Sequence, residues 1–180
     1  MGLFAHSWNK VVCIVVALLC SLPLAGQSKL LNGGTFTIEA PASAGWKAEA
    51  GDGKGRYAFR NQKAGDTLLI LAEPFGQISD VKQTLNARAD KFKASLESGG
   101  AKVLSFTKVE KQIDGAQCVS TEAAVDTKLA ARKVVSLHLL ECFTPTKTLL
   151  IAQYTYPAPK QSDPRKQEID QLFSSLKFKK

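Results

Sequence analysis

Histidine and cysteine, two residue types that could carry chemistry, are scarce in this sequence. The 180-residue chain has two histidines, His6 and His138, and its four cysteines include Cys118 and Cys142. The sequence contains no G-x-S-x-G, H-E-x-x-H, paired C-x-x-C or EF-hand pattern. We therefore predict no catalytic residue, no metal ligand and no cofactor-binding residue, and we expect a protein that is not an enzyme.

A glycine-rich segment at residues 51–55 superficially resembles a phosphate-binding loop. Such a loop needs a glycine five residues before its Gly-Lys pair and Ser or Thr directly after it. This chain has Ala48 and Gly55 at those two positions. The segment is therefore predicted to be the turn of a hairpin.

The turn signals predict which residues of successive strands face each other. The Asp-Gly pair at residues 114–115 is typical of a two-residue hairpin turn. A second hairpin centred on Ala130 places Cys118 opposite Cys142, and a third turn lies at residues 144–147. Together these registers place four residues in one row as a candidate polar patch: Thr107, Glu122, His138 and Gln153.

These registers suggest one covalent link and one polar pair. An even pair of cysteines in an exported chain favours a disulfide, and directly opposed strand positions are close enough for one, so we predict a Cys118–Cys142 bond. A carboxylate such as Glu122 raises the pKa of a neighbouring histidine, which can create a pH-sensitive or ligand-binding site. The alternative, which we favour, is an ordinary cross-strand polar pair with His138.

Residues 1–26 have the pattern of a secretory signal peptide. Lys10 is the only charged side chain in this segment, and the apolar run that follows is too short to span a bilayer. Cleavage is expected near Gly26, with the mature protein secreted or periplasmic. An uncleaved anchor is one alternative. A lipoprotein at Cys20 is disfavoured, because Leu19 stands where a small residue is required.

The remaining chain is predicted to form a flexible arm at residues 27–34 and a single domain at residues 35–180. The length suits one domain, and 44% hydrophobic with 22% charged residues is ordinary for a globular chain. Ser79 is the expected cap of a long helix that ends at Gly99. A terminal helix begins near Pro164, capped by Ser162 or Asp163. Strands are predicted at residues 35–41, 46–61 as a hairpin, 67–73, 103–113, 116–125, 133–143 and 148–156.

Alternation along these strands separates two faces of the sheet. The face opposite the cysteines is the expected main core, packed against the long helix. The cysteine face is expected to be apolar at one end and polar at the other. Residues assigned to the long-helix face are Leu104, Phe106, Val119, Val125, Val135, Leu137, Leu139, Leu150, Tyr154 and Tyr156. This order of elements indicates an α+β fold, an antiparallel β-sheet with flanking helices.

The chain from about residue 35 to about residue 178 resembles the PsbP-like and DcrB-like superfamily. The resemblance rests on the element order and on an F-x-I-x-x-P…GW pattern formed by Phe36, Ile38, Pro41, Gly45 and Trp46. It implies an α/β/α sandwich around an antiparallel sheet. It also implies an exported or peripheral binding or assembly protein, with no catalytic motif to carry over.

The net charge of +8 limits the expected partners. Basic residues on the long helix and in the tail could give weak binding to an anionic surface, although we expect an ordinary solvated face. They are Lys82, Arg88, Lys91, Lys93, Lys177, Lys179 and Lys180. No nucleic-acid partner is expected.

The sequence therefore predicts an exported, non-enzymatic binding or assembly factor of the cell envelope, with an unknown protein or envelope component as its partner. Two alternatives stay open. One is a lipid-anchored or peripheral protein at an anionic envelope surface. The other is a hydrolase or small-ligand carrier that uses the polar end of the sheet.

Overall fold

The computed structural model describes residues 30–40, 45–49, 51–61, 66–126, 134–157 and 164–179. The predicted signal peptide, the predicted hairpin centre at Ala130 and the predicted caps Ser162 and Asp163 lie outside the described residues. Within the described part of the chain, no helix is long and apolar enough to cross a membrane.

Ten strands and two helices form in the described part of the chain. The strands are β1 (Leu30–Asn32), β2 (Phe36–Glu39), β3 (Trp46–Glu49), β4 (Arg56–Asn61), β5 (Asp66–Pro74), β6 (Lys102–Ile113), β7 (Ala116–Asp126), β8 (Val134–Phe143), β9 (Thr148–Pro157) and β10 (Lys177–Phe178). The helices are α1 (Val81–Ser98) and α2 (Pro164–Ser174).

The strands build two antiparallel sheets. Seven strands pair in the order β3-β4-β5-β9-β8-β7-β6, and three pair in the order β1-β2-β10. Helix α1 packs on one face of the large sheet, while α2 and the small sheet pack on the other. This arrangement confirms the predicted α+β fold, because each face of the sheet buries its apolar side chains under other elements.

Helix α1 forms because its apolar residues recur at helical spacing and its ends are satisfied. The predicted cap Ser79 is wrong by one residue: the carboxylate of Asp80 accepts a hydrogen bond from the backbone N–H of Gln83, at 2.8 Å. Gly100, at φ +84°, takes the left-handed conformation expected at the end of a helix. The buried face of the helix consists of Leu85, Ala89 and Phe92.

The turn between β8 and β9 differs from the predicted one. The Lys147 N–H donates to the Thr144 carbonyl, and the Thr144 N–H donates to the Thr148 carbonyl. Lys147 has φ +56°, so the connection is a three-residue loop that ends in a left-handed residue. The odd loop length moves β9 by one residue relative to β8, and such a shift exchanges the two faces of a strand.

This shift corrects the predicted faces. Gln153 lies opposite Leu139 rather than in the row of His138, whose partner is Tyr154. The predicted polar patch therefore loses Gln153. Leu150, Tyr154 and Tyr156 pack on the cysteine side and not against α1, contrary to expectation.

The cysteine side carries the larger core, not the smaller one as predicted. We call the side of the large sheet that faces α2 and the small sheet the disulfide face. Its core joins Phe36 and Ile38 of the small sheet to Trp46, Phe59 and many other side chains of the large sheet. Separately, Leu104 was assigned to the α1 core but is 49% exposed, because the β6–β7 register shifts between Val103 and Ser105.

Both ends of the predicted domain are better ordered than expected. The segment predicted as a loose arm contains β1, in which Leu31 is buried; residues 27–29 lie outside the described residues. The predicted free basic tail contains β10, whose Phe178 pairs with Phe36 of β2. The ammonium group of Lys177 lies 3.8 Å from the carboxylate of Asp114. The small sheet thus joins the two ends of the domain over the disulfide face.

The predicted disulfide is confirmed in the structure. Cys118 on β7 and Cys142 on β8 are direct partners, their Cα atoms are 4.1 Å apart, and their sulfur atoms are bonded. Both cysteines are buried in the core of the disulfide face. The bond therefore locks the central pair of strands from within the core.

Reduction of this disulfide should destabilise the fold without abolishing it. The bond joins residues 24 positions apart, and the chain-entropy model gives about 3 kcal/mol for a loop of this size. Urea unfolding with and without a reductant measures this difference. The double variant Cys118→Ala/Cys142→Ala serves as the control and should respond to reductant no further. Two free thiols at these positions in protein purified without reductant would contradict the assignment.

Candidate functional site

The candidate site is a cleft on the disulfide face between α2 and the β6–β7 hairpin. Its volume is about 550 Å³, and charged residues line much of it. Helix α2 is held beside the cleft by Phe173, which is buried against the sheet, and by Glu168, whose carboxylate accepts a 3.0 Å hydrogen bond from the Trp46 indole. The exposed Lys111 and Asp114 come from the hairpin. The cleft therefore has one helical wall and one strand wall.

An ion-pair network crosses this cleft. The Lys166 ammonium group donates to the carboxylate of Glu122 on β7 and lies 3.8 Å from Asp170, one helical turn further along α2. Burial alone would lower the pKa of Lys166, but its bond to Glu122 and the charge of Asp170 raise it overall. Burial alone would raise the pKa of Glu122, but Lys166 and the other cations nearby lower it. Lys166 and Glu122 are therefore both charged at neutral pH.

His138 lies beneath this network and is fully buried. Its Nε2 atom is 3.0 Å from Ser120 Oγ and 3.9 Å from the Glu122 carboxylate, and the edge of its ring meets the Phe173 ring at 4.9 Å between centroids. Its Nδ1 atom has no hydrogen-bond partner among the described residues. Among the described residues, the ring therefore has a hydrogen-bond partner at Nε2 but none at Nδ1.

Burial decides the charge of this histidine. Loss of water lowers the pKa of His138 to about 4, and the negative charges of Glu122 and Asp170 offset this only in part. The positive charges of Lys166 and Lys111 lower the pKa of His138 further. The predicted pairing of Glu122 with His138 is confirmed. The rise in the histidine pKa that the disfavoured, pH-sensitive interpretation requires does not occur, because the desolvation cost exceeds the attraction.

The structure keeps three members of the predicted polar patch in one row and extends it with others. Thr107, exposed on β6, faces Glu122, which faces His138. Sequence reasoning missed Lys166 and Asp170, which complete the site. The available signal was their spacing of four residues on α2, which places both on one side of the helix.

The site has part of the geometry of a serine nucleophile and part of that of a metal centre. A Ser–His pair needs an accessible hydroxyl and a third group on the far ring nitrogen. Ser120 is only 4% exposed, and no third group is present among the described residues. Glu122, His138 and Asp170 offer ligand atoms within 4.8 Å of one another, but the Lys166 ammonium group already contacts both carboxylates and would repel a metal cation. The predicted lack of catalytic residues and metal ligands stays a prediction.

The basic residues of α1 are largely paired. Lys82 lies 2.9 Å from Glu110, Lys93 lies 3.9 Å from Glu97, and Arg88 lies 2.7 Å from Glu141. The first two pairs are exposed. Arg88 and Glu141 form a buried pair under the helix, where burial raises the pKa of Glu141 and Arg88 only partly offsets it. The positive charge that this helix presents to a surface is correspondingly reduced.

Removal of one partner of the buried pair should be costly. The variant Arg88→Met leaves the Glu141 carboxylate buried without its cation, and we expect a loss of about 3–5 kcal/mol in the free energy of unfolding. The double variant Arg88→Met/Glu141→Leu should recover most of this loss. Denaturant unfolding of the single and double variants measures both effects. Lys93→Met, which breaks an exposed pair, is the matched control and should cost less than about 1 kcal/mol.

Burial of His138 should make the fold sensitive to acid. Its folded pKa of about 4 lies below the ordinary value of 6.5, so the unfolded chain binds a proton in this interval that the folded chain does not. The free energy of unfolding should therefore fall as the pH drops from about 6.5 to about 4, by roughly 3 kcal/mol. In His138→Gln, this component should disappear. Unfolding curves measured across this range test it, and identical pH profiles for the two proteins would contradict it.

Comparison with known proteins supports the fold. No family model matches the chain, and no curated protein matches it. Among solved structures, cyanobacterial PsbP (CyanoP) from Synechocystis sp. PCC 6803 is 14% identical, covers 87% of this chain and 99% of that chain, and has a TM-score of 0.51. The Saccharomyces cerevisiae Ran-binding protein Mog1p is 13% identical, covers 85% of this chain and 96% of that chain, and has the same TM-score. The predicted likeness to DcrB stays a prediction, whereas the chain has a PsbP-like and Mog1-like fold.

Proposed function

We propose that this protein is an exported binding or assembly factor of the cell envelope, and that it holds its partner in the cleft between α2 and the β6–β7 hairpin. The observation that carries the proposal is the cleft itself, which is open to solvent at a wall of exposed charged residues and closed below by a rigid, disulfide-linked sheet. Binding sites are commonly concave and largely preformed, with a few polar groups that fix orientation.

The charges of the cleft favour a polar protein segment over an apolar small molecule. Lys111 and Asp114 stand at its open wall with opposite signs, and Lys166 pairs with the carboxylates of Glu122 and Asp170 on its inner side. A partner segment with charges of both signs could pair with Lys111 and Asp114 at the rim. This pairing would not require any buried charged group to become exposed. The neighbour Mog1p is named a Ran-binding protein, which supports protein binding as a use of this fold.

Two further observations support the proposed compartment and mode of action. A buried disulfide is typical of proteins from oxidising compartments, in agreement with the signal-peptide pattern of residues 1–26. The one serine that contacts the histidine is buried, which favours binding over catalysis. The Ser120–His138 contact is also the observation that favours the alternative, a hydrolase.

The test compares two charge reversals on opposite faces of the molecule. Lys111→Glu alters the rim of the cleft, whereas Lys91→Glu alters an exposed position of α1 on the other face. Each purified protein is immobilised, exposed to the native envelope fraction, and the captured proteins are quantified by mass spectrometry. A specific partner should be captured by the wild type and by Lys91→Glu, and at least about tenfold less by Lys111→Glu, which corresponds to about 1.4 kcal/mol.

Three outcomes would contradict the proposal. Equal capture by both variants would place the binding surface elsewhere. Covalent labelling of Ser120 by a fluorophosphonate, abolished in Ser120→Ala, would favour the hydrolase. Binding to anionic vesicles that falls steeply with salt, with no protein partner captured, would favour the peripheral envelope protein.

A further inference from the structure

Strand β6 ends the seven-stranded sheet, and no described strand pairs with its outer edge. The strand is twelve residues long, and most of its side chains are exposed. Val109, near its middle, is 51% exposed and is one of the few large apolar side chains on the surface of the described residues. A long, exposed edge of this kind is a template for another strand, since its outward N–H and C=O groups lack partners in the sheet.

The turn at residues 114–115 determines which backbone groups face outward. Asp114 and Gly115 both have positive φ, as in a two-residue hairpin turn whose flanking pair, Ile113 and Ala116, is hydrogen-bonded. Because hydrogen-bonded and non-hydrogen-bonded pairs alternate, the odd-numbered residues of β6 bond to β7. The even-numbered residues, including Lys108 and Glu110, therefore direct their N–H and C=O groups to the free edge.

In one antiparallel register, the charges on the β6 edge of one copy are complementary to the charges on the same edge of a second copy. If two copies of β6 cross at Val109, Lys108 of each copy stands opposite Glu110 of the other. The two outward-directed residues then exchange backbone hydrogen bonds and also form two equivalent ion pairs. The exposed Val109 side chains meet at the twofold axis and cover each other.

Neighbouring registers are penalised. A shift of two residues in either direction would place Lys108 opposite Lys108, or Glu110 opposite Glu110, and like charges directly opposite are destabilising. Edge lysines normally deter strand addition for this reason. On β6, Glu110 lies two residues from Lys108. The repulsion between like charges therefore disfavours the shifted registers and leaves the register that pairs Lys108 with Glu110. Opposite charges of α1 already contact both residues, Asp90 with Lys108 and Lys82 with Glu110, so the new pairs would extend an existing network.

We propose that two copies of this chain associate through β6, antiparallel and centred on Val109, to form a continuous fourteen-stranded sheet. A twofold interface of this kind is self-complementary by construction. The two clefts then lie on the same face of the joined sheet. Thr107 of the second copy stands opposite Lys111, at the strand wall of each cleft. The dimer would thereby add a polar side chain to the margin of each binding site.

Cysteine crosslinking tests the register directly. In Val109→Cys, the two new cysteines would be opposite each other with Cα atoms about 4.5 Å apart, within the range of a disulfide. In Thr107→Cys, on the same face, the two cysteines would be four residues out of register and about 14 Å apart. Mild oxidation should therefore give a covalent dimer of the first variant and none of the second. Peptide mapping distinguishes this link from exchange with Cys118–Cys142.

Charge reversal tests the ion pairs. Sedimentation from about 10 μM to about 1 mM should show a dimer for the wild type and at least about tenfold weaker association for Lys108→Glu and for Glu110→Lys. The double variant Lys108→Glu/Glu110→Lys restores opposite charges and should restore the dimer. Thermal melts confirm that each variant is folded.

The proposal would be overturned by a wild type that is monomeric up to about 1 mM, since that excludes even millimolar affinity. It would also be overturned by equal crosslinking of the two cysteine variants, or by a folded double variant that stays monomeric. A mixed crosslink between Val109→Cys and another envelope protein, with no homodimer, would also overturn it, because the strand added to β6 would then belong to a different protein.

Discussion

The disulfide face depends on the register in which β7 pairs with β8. That register places Cys118 against Cys142 and Glu122 against His138, four residues apart along the same side of two neighbouring strands. A slip of one residue would separate the cysteines and turn the histidine to the opposite face. The disulfide makes such a slip impossible while it is intact. One covalent link in the core therefore fixes both the packing of the sheet and the position of the histidine at the cleft.

The burial of His138 follows from this register together with the docking of α2. The sheet points the ring toward the helix, and Phe173 covers it. An imidazolium in this position would lose its water, so the neutral form is favoured although Glu122 and Asp170 are near. The Lys166 ammonium group forms ion pairs with both of these carboxylates. The cleft thus has charged walls, and a neutral histidine is buried beneath them, a combination suited to the recognition of a polar partner.

The sequence predicts how β6, β7 and β8 pair, but it does not predict the β8–β9 register or the contacts of α2. Each difference has a physical reason. The Asp-Gly turn at residues 114–115 has a strongly preferred geometry, so the β6–β7 register follows from local chemistry. The turn at residues 144–147 can close with an even or an odd number of loop residues, and the odd choice moved Gln153 to the other face. The sequence predicts helix α2, but the polar partners of this helix on the sheet depend on how it docks. Lys166 and Asp170 could be placed beside Glu122 only from the three-dimensional structure.

The β7–β8 register buries a neutral His138 beneath the ion-pair network of the cleft. The most direct measurement is the pH titration of its ring nitrogens by NMR in the protein without residues 1–26, where His138 is the only histidine. We expect one ring that titrates with a pKa of about 4 and that shows contacts to Phe173. A midpoint near the ordinary value of 6.5, as for a ring in solvent, would contradict it.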